Sequence, residues 1–424
     1  MSFQQGLSGL NASAASLNVI GNNVANVATV GFKRADAHFS DLYAASLGIG
    51  SGSQIGIGVT VSAVQQQFTQ GNLTTTSNPL DLALNGPGYF RMSHEGAITY
   101  TRNGQFHLDK EGYVINDKNL RLTGYPVAEN GDISPTNPVE IQLSASQIPP
   151  RATSDPLAGD ISAVLNLNAL DPIPLVATFD PANTQSYNFS TALNVFDTLG
   201  VMHNLSTYYV RTATPGTWDI YATLDGVVSA DAAPGGRSLV FDTTGVLTSV
   251  VPAPAAGDPL YSIPMPEWDL TDGATTPWSP GSIDYTDTTQ FGNDSTVDRL
   301  IQGGYAAGSL VGVGVSRDGI LQGRYSNSQS RNLGQVVLAN FSDSNGLLNL
   351  GNNEWSETST SGPPLLGAPG TGTRAVIQSA TVEDSNVDLT KELVDMISAQ
   401  RNYQANAQTI KTQDQVMQTL VNLR

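Results

Sequence analysis

From Leu389 to the end of the chain, apolar side chains recur at alternating steps of four and three: Leu389, Leu393, Met396, then Tyr403, Ala407, Ile410, then Met417 and Val421. Gln400 and Asp414 fill the two polar steps of that series. A seam of period 3.5 held over nearly five heptads predicts a helix that lies along other helices. The first 30 residues carry a second seam of the same spacing: Phe3, Leu7, Leu10, Ala14, Leu17, Gly21, Val24 and Ala28. Matching helices at the two ends predict that the termini meet, and that everything between them leaves and returns.

Between the helices the period changes to that of strands. In residues 97–125, stretches rich in Tyr, Phe and Ile are separated by Asn103-Gly104, Glu111-Gly112 and Asp117-Lys118-Asn119. Asn-Gly is a strong hairpin signal, so a turn is predicted at Asn103-Gly104. Residues 306–350 repeat the style, with turns at Asp318-Gly319 and Asn345-Gly346. Further strands are predicted at Tyr187–Phe196, Met202–Val210 and Trp218–Leu224. The fold class is therefore multidomain: α-helical coiled-coil termini plus two mainly-β domains in a discontinuous, out-and-back topology. The predicted boundaries are 1–32 with 384–424 for the helical domain and 33–71 with 372–383 for connectors. An inner β domain takes 72–146 with 301–371, and a second, acidic one takes 147–300. Within the first connector, Gly48, Gly50, Gly52, Gly56 and Gly58 predict a flexible hinge.

Charge sharpens that division. The chain of 424 residues has a formal net charge of −18, and residues 152–298 hold 17 acidic side chains against Arg211 and Arg237 alone. Most of the deficit thus lies in the second β domain, which argues against nucleic acid and against docking on an anionic membrane. Fifteen of the 23 prolines lie between residues 146 and 300, which disfavours long helices there. No stretch approaches the roughly 20 apolar residues a membrane span needs. The N-terminus has neither a basic start nor an apolar core segment, so export, if it occurs, is expected without a cleaved general-secretory signal.

Candidate chemistry is sparse. The absence of cysteine removes disulfides, thiolate catalysis and cysteine zinc sites. His38, His94, His107 and His203 are too far apart for a helix-borne metal pair and read as surface or strand residues. The glycine connector fits neither nucleotide fingerprint, Asp343-Ser344-Asn345-Gly346 reads as a turn rather than a calcium loop, and no G-x-S-x-G elbow occurs. No catalytic, metal or cofactor residue is assigned. The terminal seams could simply cap their own domain. Gly6, Gly9 and Gly21 each cost about 1 kcal/mol relative to Ala in a helix, however, so helices this weak are expected to stand only among neighbours.

At these ends the chain resembles the axial proteins of the bacterial flagellum, the family of rod, hook and hook-associated subunits. The segment 21–34 (GNNVANVATVGFKR) is similar to their shared N-terminal signature, and 383–424 is similar to the C-terminus of the hook branch. Segments 71–92, 100–116, 323–341 and 351–362 agree, whereas 147–300 matches only in being β-rich and inserted. The resemblance implies a structural, non-enzymatic subunit that polymerises into a curved hollow tube. That tube acts as a universal joint passing motor torque to the filament, with the terminal helices lining the channel. It implies homo-oligomerisation, and contacts with rod, hook-cap, hook–filament junction and export-apparatus proteins. It also implies an extracellular site reached through the flagellar type III apparatus, with no cofactor, nucleic acid or membrane insertion. A distal rod protein is the alternative; a secreted β-rich adhesin and an enzyme account less well for helical seams at both ends. Without cysteine, the chain lacks the Cys–Lys cross-link of spirochaete hooks.

Overall fold

The computed structural model describes residues 2–43, 56–128, 131–143, 147–156, 161–229, 236–255 and 257–422. Gly48, Gly50 and Gly52 lie outside the described residues, as does the side chain of Val421. A helix stands at each end: α1, Ser2–Ala25, and α2, Leu389–Asn422. The second helix opens where its seam begins, because the Asp388 carboxylate accepts from the backbone N–H groups of Thr390 and Lys391. The first ends at Ala25, and the chain then turns through Gly31, whose φ of +72° suits a residue without Cβ.

The chain divides into two compact units: Met1–Ala145 with Val311–Arg324 and Ser330–Arg424, and Ser146–Leu310 with Tyr325–Gln329. In the first unit, β1 (Ala35–Tyr43) and β2 (Gly56–Gln66) pair as an antiparallel hairpin beside α1. Gly56 and Gly58 are therefore strand residues opposite Tyr43 and Leu42, not members of a free hinge. A Cβ on Gly58 would stand 2.3 Å from Ser8 Oγ, so glycine here permits strand and helix to touch.

Beyond the hairpin, outgoing and returning chain pair directly. Leu73–Thr75 lies against Thr381–Glu383, and Leu82–Asn85 against Val376–Ser379. Leu84, Phe90, Met92, Leu122, Leu321 and Leu338 fill the core above them. A second cluster stacks Tyr89, Tyr100, Phe341 and Trp355 edge to face with Phe68, at centroid distances of 4.8–5.9 Å. The Trp355 indole N–H donates to Gln66 Oε1 at 2.8 Å, fastening the end of β2 to the aromatic cluster. Asn103-Gly104 is not a hairpin turn. Gly104 lies against the Leu82 carbonyl, leaving no room for a side chain, while the turn between strands Tyr89–His94 and Ala97–Thr101 is Glu95-Gly96.

The second unit holds two sheets. One orders Phe189–Phe196, Met202–Arg211, Thr217–Leu224, Ser238–Phe241 and Leu247–Val251; the other orders Ser262–Pro264, Ser282–Asp284, Ile161–Asn166 and Thr296–Ile301. Burial alternates along Met202–Arg211, as expected for a strand with one face inward. Leu205, Tyr209 and Trp218 from the first sheet share a core with Leu165, Ile263 and Tyr285 from or beside the second.

Candidate subunit-assembly site

α1 and α2 pack on each other through small residues. A Cβ on Gly6 would stand 3.1 Å from Ile410 Cγ1, and one on Gly9 would stand 2.9 Å from the Asn406 amide. The glycines that weaken α1 as an isolated helix are what let the two backbones approach. Ala12 on α1 and Glu392 and Ala399 on α2 are buried, with Met396, Asn406, Ile410 and Gln413 half-buried. That stripe keeps the four-three spacing but is rotated from the seam, sharing only Met396 and Ile410 with it.

Leu389, Leu393, Gln400, Tyr403 and Met417 consequently stay exposed, as do Phe3, Leu7 and Ala28 on the N-terminal side. Leu10, Ala14, Leu17, Val24, Ala407 and Ile410 are half-buried. Within one chain, small and polar positions join the two helices, and most large apolar seam positions are left outside. Val394 and Ile397, absent from the seam, are also more than half exposed.

The base of the helix pair is polar and buried. Asn23 is 1% exposed; its carboxamide exchanges two hydrogen bonds with the Ala35 backbone and donates to Glu392 Oε2 at 3.2 Å. Arg34 reaches the other Glu392 oxygen at 3.7 Å. Deeper still, the Glu383 carboxylate, fully buried, accepts from Lys33 Nζ at 2.7 Å, the Gly71 N–H at 2.9 Å and Arg102 Nη1 at 3.1 Å. Lys33 also donates to the Thr69 carbonyl, and Arg102 to that of Gly86. Burial pushes the Lys33 ammonium pKa down, and the Glu383 charge partly restores it. One carboxylate thus ties the end of α1, the end of the hairpin and the β core to the strand leading into α2. Sequence reasoning missed Asn23, Lys33, Arg102, Glu383 and Glu392. Their signal was present, since polar residues inside otherwise apolar terminal segments are candidates for buried pairing.

Comparison with known families places this architecture among the rod and hook proteins of the flagellar basal body. The family model "Flagella basal body rod protein" matches residues 3–33, and "Flagellar basal body rod FlgEFG protein C-terminal" matches 378–423. Between them, "Flagellar hook protein FlgE/F/G D1 domain" matches 83–154 and "Flagellar basal body protein FlaE D2 domain" matches 165–305. Full-length relatives narrow the class. The flagellar hook protein FlgE of Escherichia coli K12 is 40% identical over 433 residues, covering all of both chains. That of Salmonella typhimurium LT2 is 38% identical with the same coverage, and that of Borreliella burgdorferi is 29% identical, covering 100% of this chain and 99% of its own. The chain belongs to the flagellar hook protein FlgE family, whose members are structural subunits of the hook rather than enzymes. A crystal structure of Helicobacter pylori FlgE2 shares the fold at TM-score 0.50 and 12% identity, covering 72% of this chain and 99% of that one. Among the described residues no helix is long and apolar enough to cross a membrane.

Proposed function

We propose that this subunit polymerises through its paired termini into the curved, hollow tube of the hook, which works as a universal joint between motor and filament. The observation that carries the reading is the apolar surface left open on α2. Leu393, Val394 and Ile397 stand 44–57% exposed near its start, and Val416 and Met417 stand 51–56% exposed near its end. At 1.5 Å per residue the helix is about 50 Å long, enough to meet several neighbours in a coiled-coil layer. Phe39, Leu42 and Val64 on the hairpin add apolar surface of the same kind. Electron microscopy of the purified protein tests the proposal: curved hollow tubes support a hook, straight ones a rod, and isolated particles neither.

In this reading residues 1–32 with 384–424 are the assembly domain, joined through 33–71 and 372–383 to an inner β domain of 72–146 with 301–371. Residues 147–300 form the acidic domain. The charge of −15 on residues 152–298 (two basic minus 17 acidic) keeps neighbouring copies of that domain from locking together. Repulsion of this kind is screened beyond about 8 Å at physiological ionic strength. Tube curvature should then change with salt, and a flat response would remove electrostatics from the account. Export unfolded through the flagellar type III apparatus, and contacts with rod, cap and junction proteins, follow from the same assignment. Helices that need neighbours to be stable are well suited to that route.

A further inference from the structure

Four side chains converge at one end of the second unit: Asp197 and His203 from the two sides of one hairpin turn, Asp225 from the next turn, and Asp272 from a distant segment. Asp197 ends the strand Phe189–Phe196, and His203 opens the next, Met202–Arg211. Asp225 lies in the turn after Thr217–Leu224, and Asp272 in the segment between Trp268 and Trp278. Each carboxylate has one oxygen committed to backbone. Asp197 Oδ1 accepts from the N–H groups of Leu199 and Val201, Asp225 Oδ1 from Asn204, and Asp272 Oδ1 from Ala274. The remaining oxygens all turn toward His203. Asp225 Oδ2 stands 2.7 Å from Nδ1, whereas Asp272 Oδ2 and Asp197 Oδ2 stand 3.4 and 3.8 Å from Nε2.

His203 Nδ1 and Asp225 Oδ2 are hydrogen-bonded, and on the opposite side of the ring Nε2 faces two further carboxylate oxygens. Both Asp197 Oδ2 and His203 Nε2 are buried without a hydrogen-bond partner, Asp197 being fully buried and His203 8% exposed. Unsatisfied polar atoms at that depth are costly. Among the described residues no Lys or Arg forms an ion pair with any of the three carboxylates, whose ion-pair contacts are all to His203.

We propose that His203 Nε2, Asp197 Oδ2 and Asp272 Oδ2 bind one divalent first-row transition ion of the zinc type, with Asp225 orienting the imidazole from behind. The three ligand atoms lie within 4.8 Å of one another. Ligands on a tetrahedral zinc stand about 3.3 Å apart, given metal–ligand bonds of about 2.0–2.1 Å, so small side-chain shifts close the site. One imidazole with two carboxylates suits such an ion better than calcium, which takes six or more oxygens. A carboxylate behind a metal-bound histidine is the usual outer partner. A cleft of about 490 Å³, lined by His203, Asp225, Trp268 and Asp272, gives solvent a route to the site and a place for a water as fourth ligand. The bound ion would cross-link the Asp197–His203 hairpin to the segment carrying Asp272.

Isothermal titration of zinc chloride into the full-length monomer tests the proposal, with circular dichroism confirming that each variant is folded. One saturable site per chain is expected, weakened about 10–100-fold in Asp225→Asn. Binding should be reduced at least as much in Asp272→Asn, whose partly exposed side chain makes it the variant most certain to fold. His203→Gln should remove the site and, with cobalt as probe, the visible absorption of a tetrahedral complex. No saturable zinc site in the wild type, or binding unchanged in Asp272→Asn and His203→Gln, would overturn it. So would a wild-type melting temperature indifferent to zinc, which would instead make the cluster a protonated imidazolium clasp.

Discussion

Glu383→Ala is the most informative single change at the base of the helix pair. It removes the carboxylate that neutralises Lys33 and Arg102, both of which are less than 5% exposed, and leaves the Gly71 N–H without its acceptor. Breaking a buried ion pair from one side costs about 3–5 kcal/mol, and an orphaned N–H adds about 1–3 kcal/mol. Lys33 can relieve part of this by shedding its proton, since burial already lowers its pKa. A net loss of about 3–5 kcal/mol is therefore expected in the first unit. Adding Lys33→Met to Glu383→Ala should recover at least about 1 kcal/mol, because one uncompensated cation goes with it. Hydrogen exchange read by mass spectrometry reports this locally. Amides of Leu73–Thr75 and Thr381–Glu383 should lose protection, while those of Met202–Arg211 in the second unit stay as in the wild type. A change below about 1 kcal/mol in the first unit would refute the reasoning.

Three other outcomes follow. Gly31→Ala should destabilise the first unit by more than the about 1–2 kcal/mol of a left-handed non-glycine residue, because its Cβ would also meet Asn103 N at 2.7 Å; denaturant midpoints check this. Burial pushes the Tyr209 phenol up to about 12 and that of Tyr285, 3.2 Å away, well above its usual range. Both raised values stabilise the second unit fully below pH 10, where unfolded tyrosine begins to ionise. That stability should fall through pH 10–12 by up to about 1.4 kcal/mol per pH unit for each tyrosine; urea midpoints across that range should show a shallower slope in Tyr209→Phe, and equal slopes would contradict it. Leu393→Asp with Ile397→Asp, on exposed positions, should abolish tubes in electron micrographs with the monomer's melting temperature nearly unchanged.

Much of the fold was legible because it rests on local periodicity. The four-three spacing marked α2 from its first residue, and the strands predicted at Met202–Val210 and Trp218–Leu224 fall within one residue of the observed Met202–Arg211 and Thr217–Leu224. What escaped depends on partners distant in sequence. Lys33 and Glu383 are 350 positions apart, and neither charge announces that it will be buried. Which face of α2 meets α1 is decided by how closely Gly6 and Gly9 let the backbones approach, a steric fact that hydrophobic spacing does not encode. Gly56 and Gly58 read as a hinge because glycine is rare in strands, yet Gly58 is required where β2 touches Ser8. His203 looked isolated because Asp272 arrives from a segment about 70 residues on, and the turn that brings Asp197 to its side is set by strand pairing rather than by helical spacing.

The central claim is that the polymer is held by surface left exposed on the paired termini, rather than by the contact that joins them within one chain. A helical reconstruction of tubes grown from the full-length protein, at a resolution that shows side chains, tests it most directly. The account predicts Leu393, Val394 and Ile397 packed against neighbouring subunits while Gly9 remains against Asn406 of its own chain; those three side chains facing open solvent in the tube would contradict it.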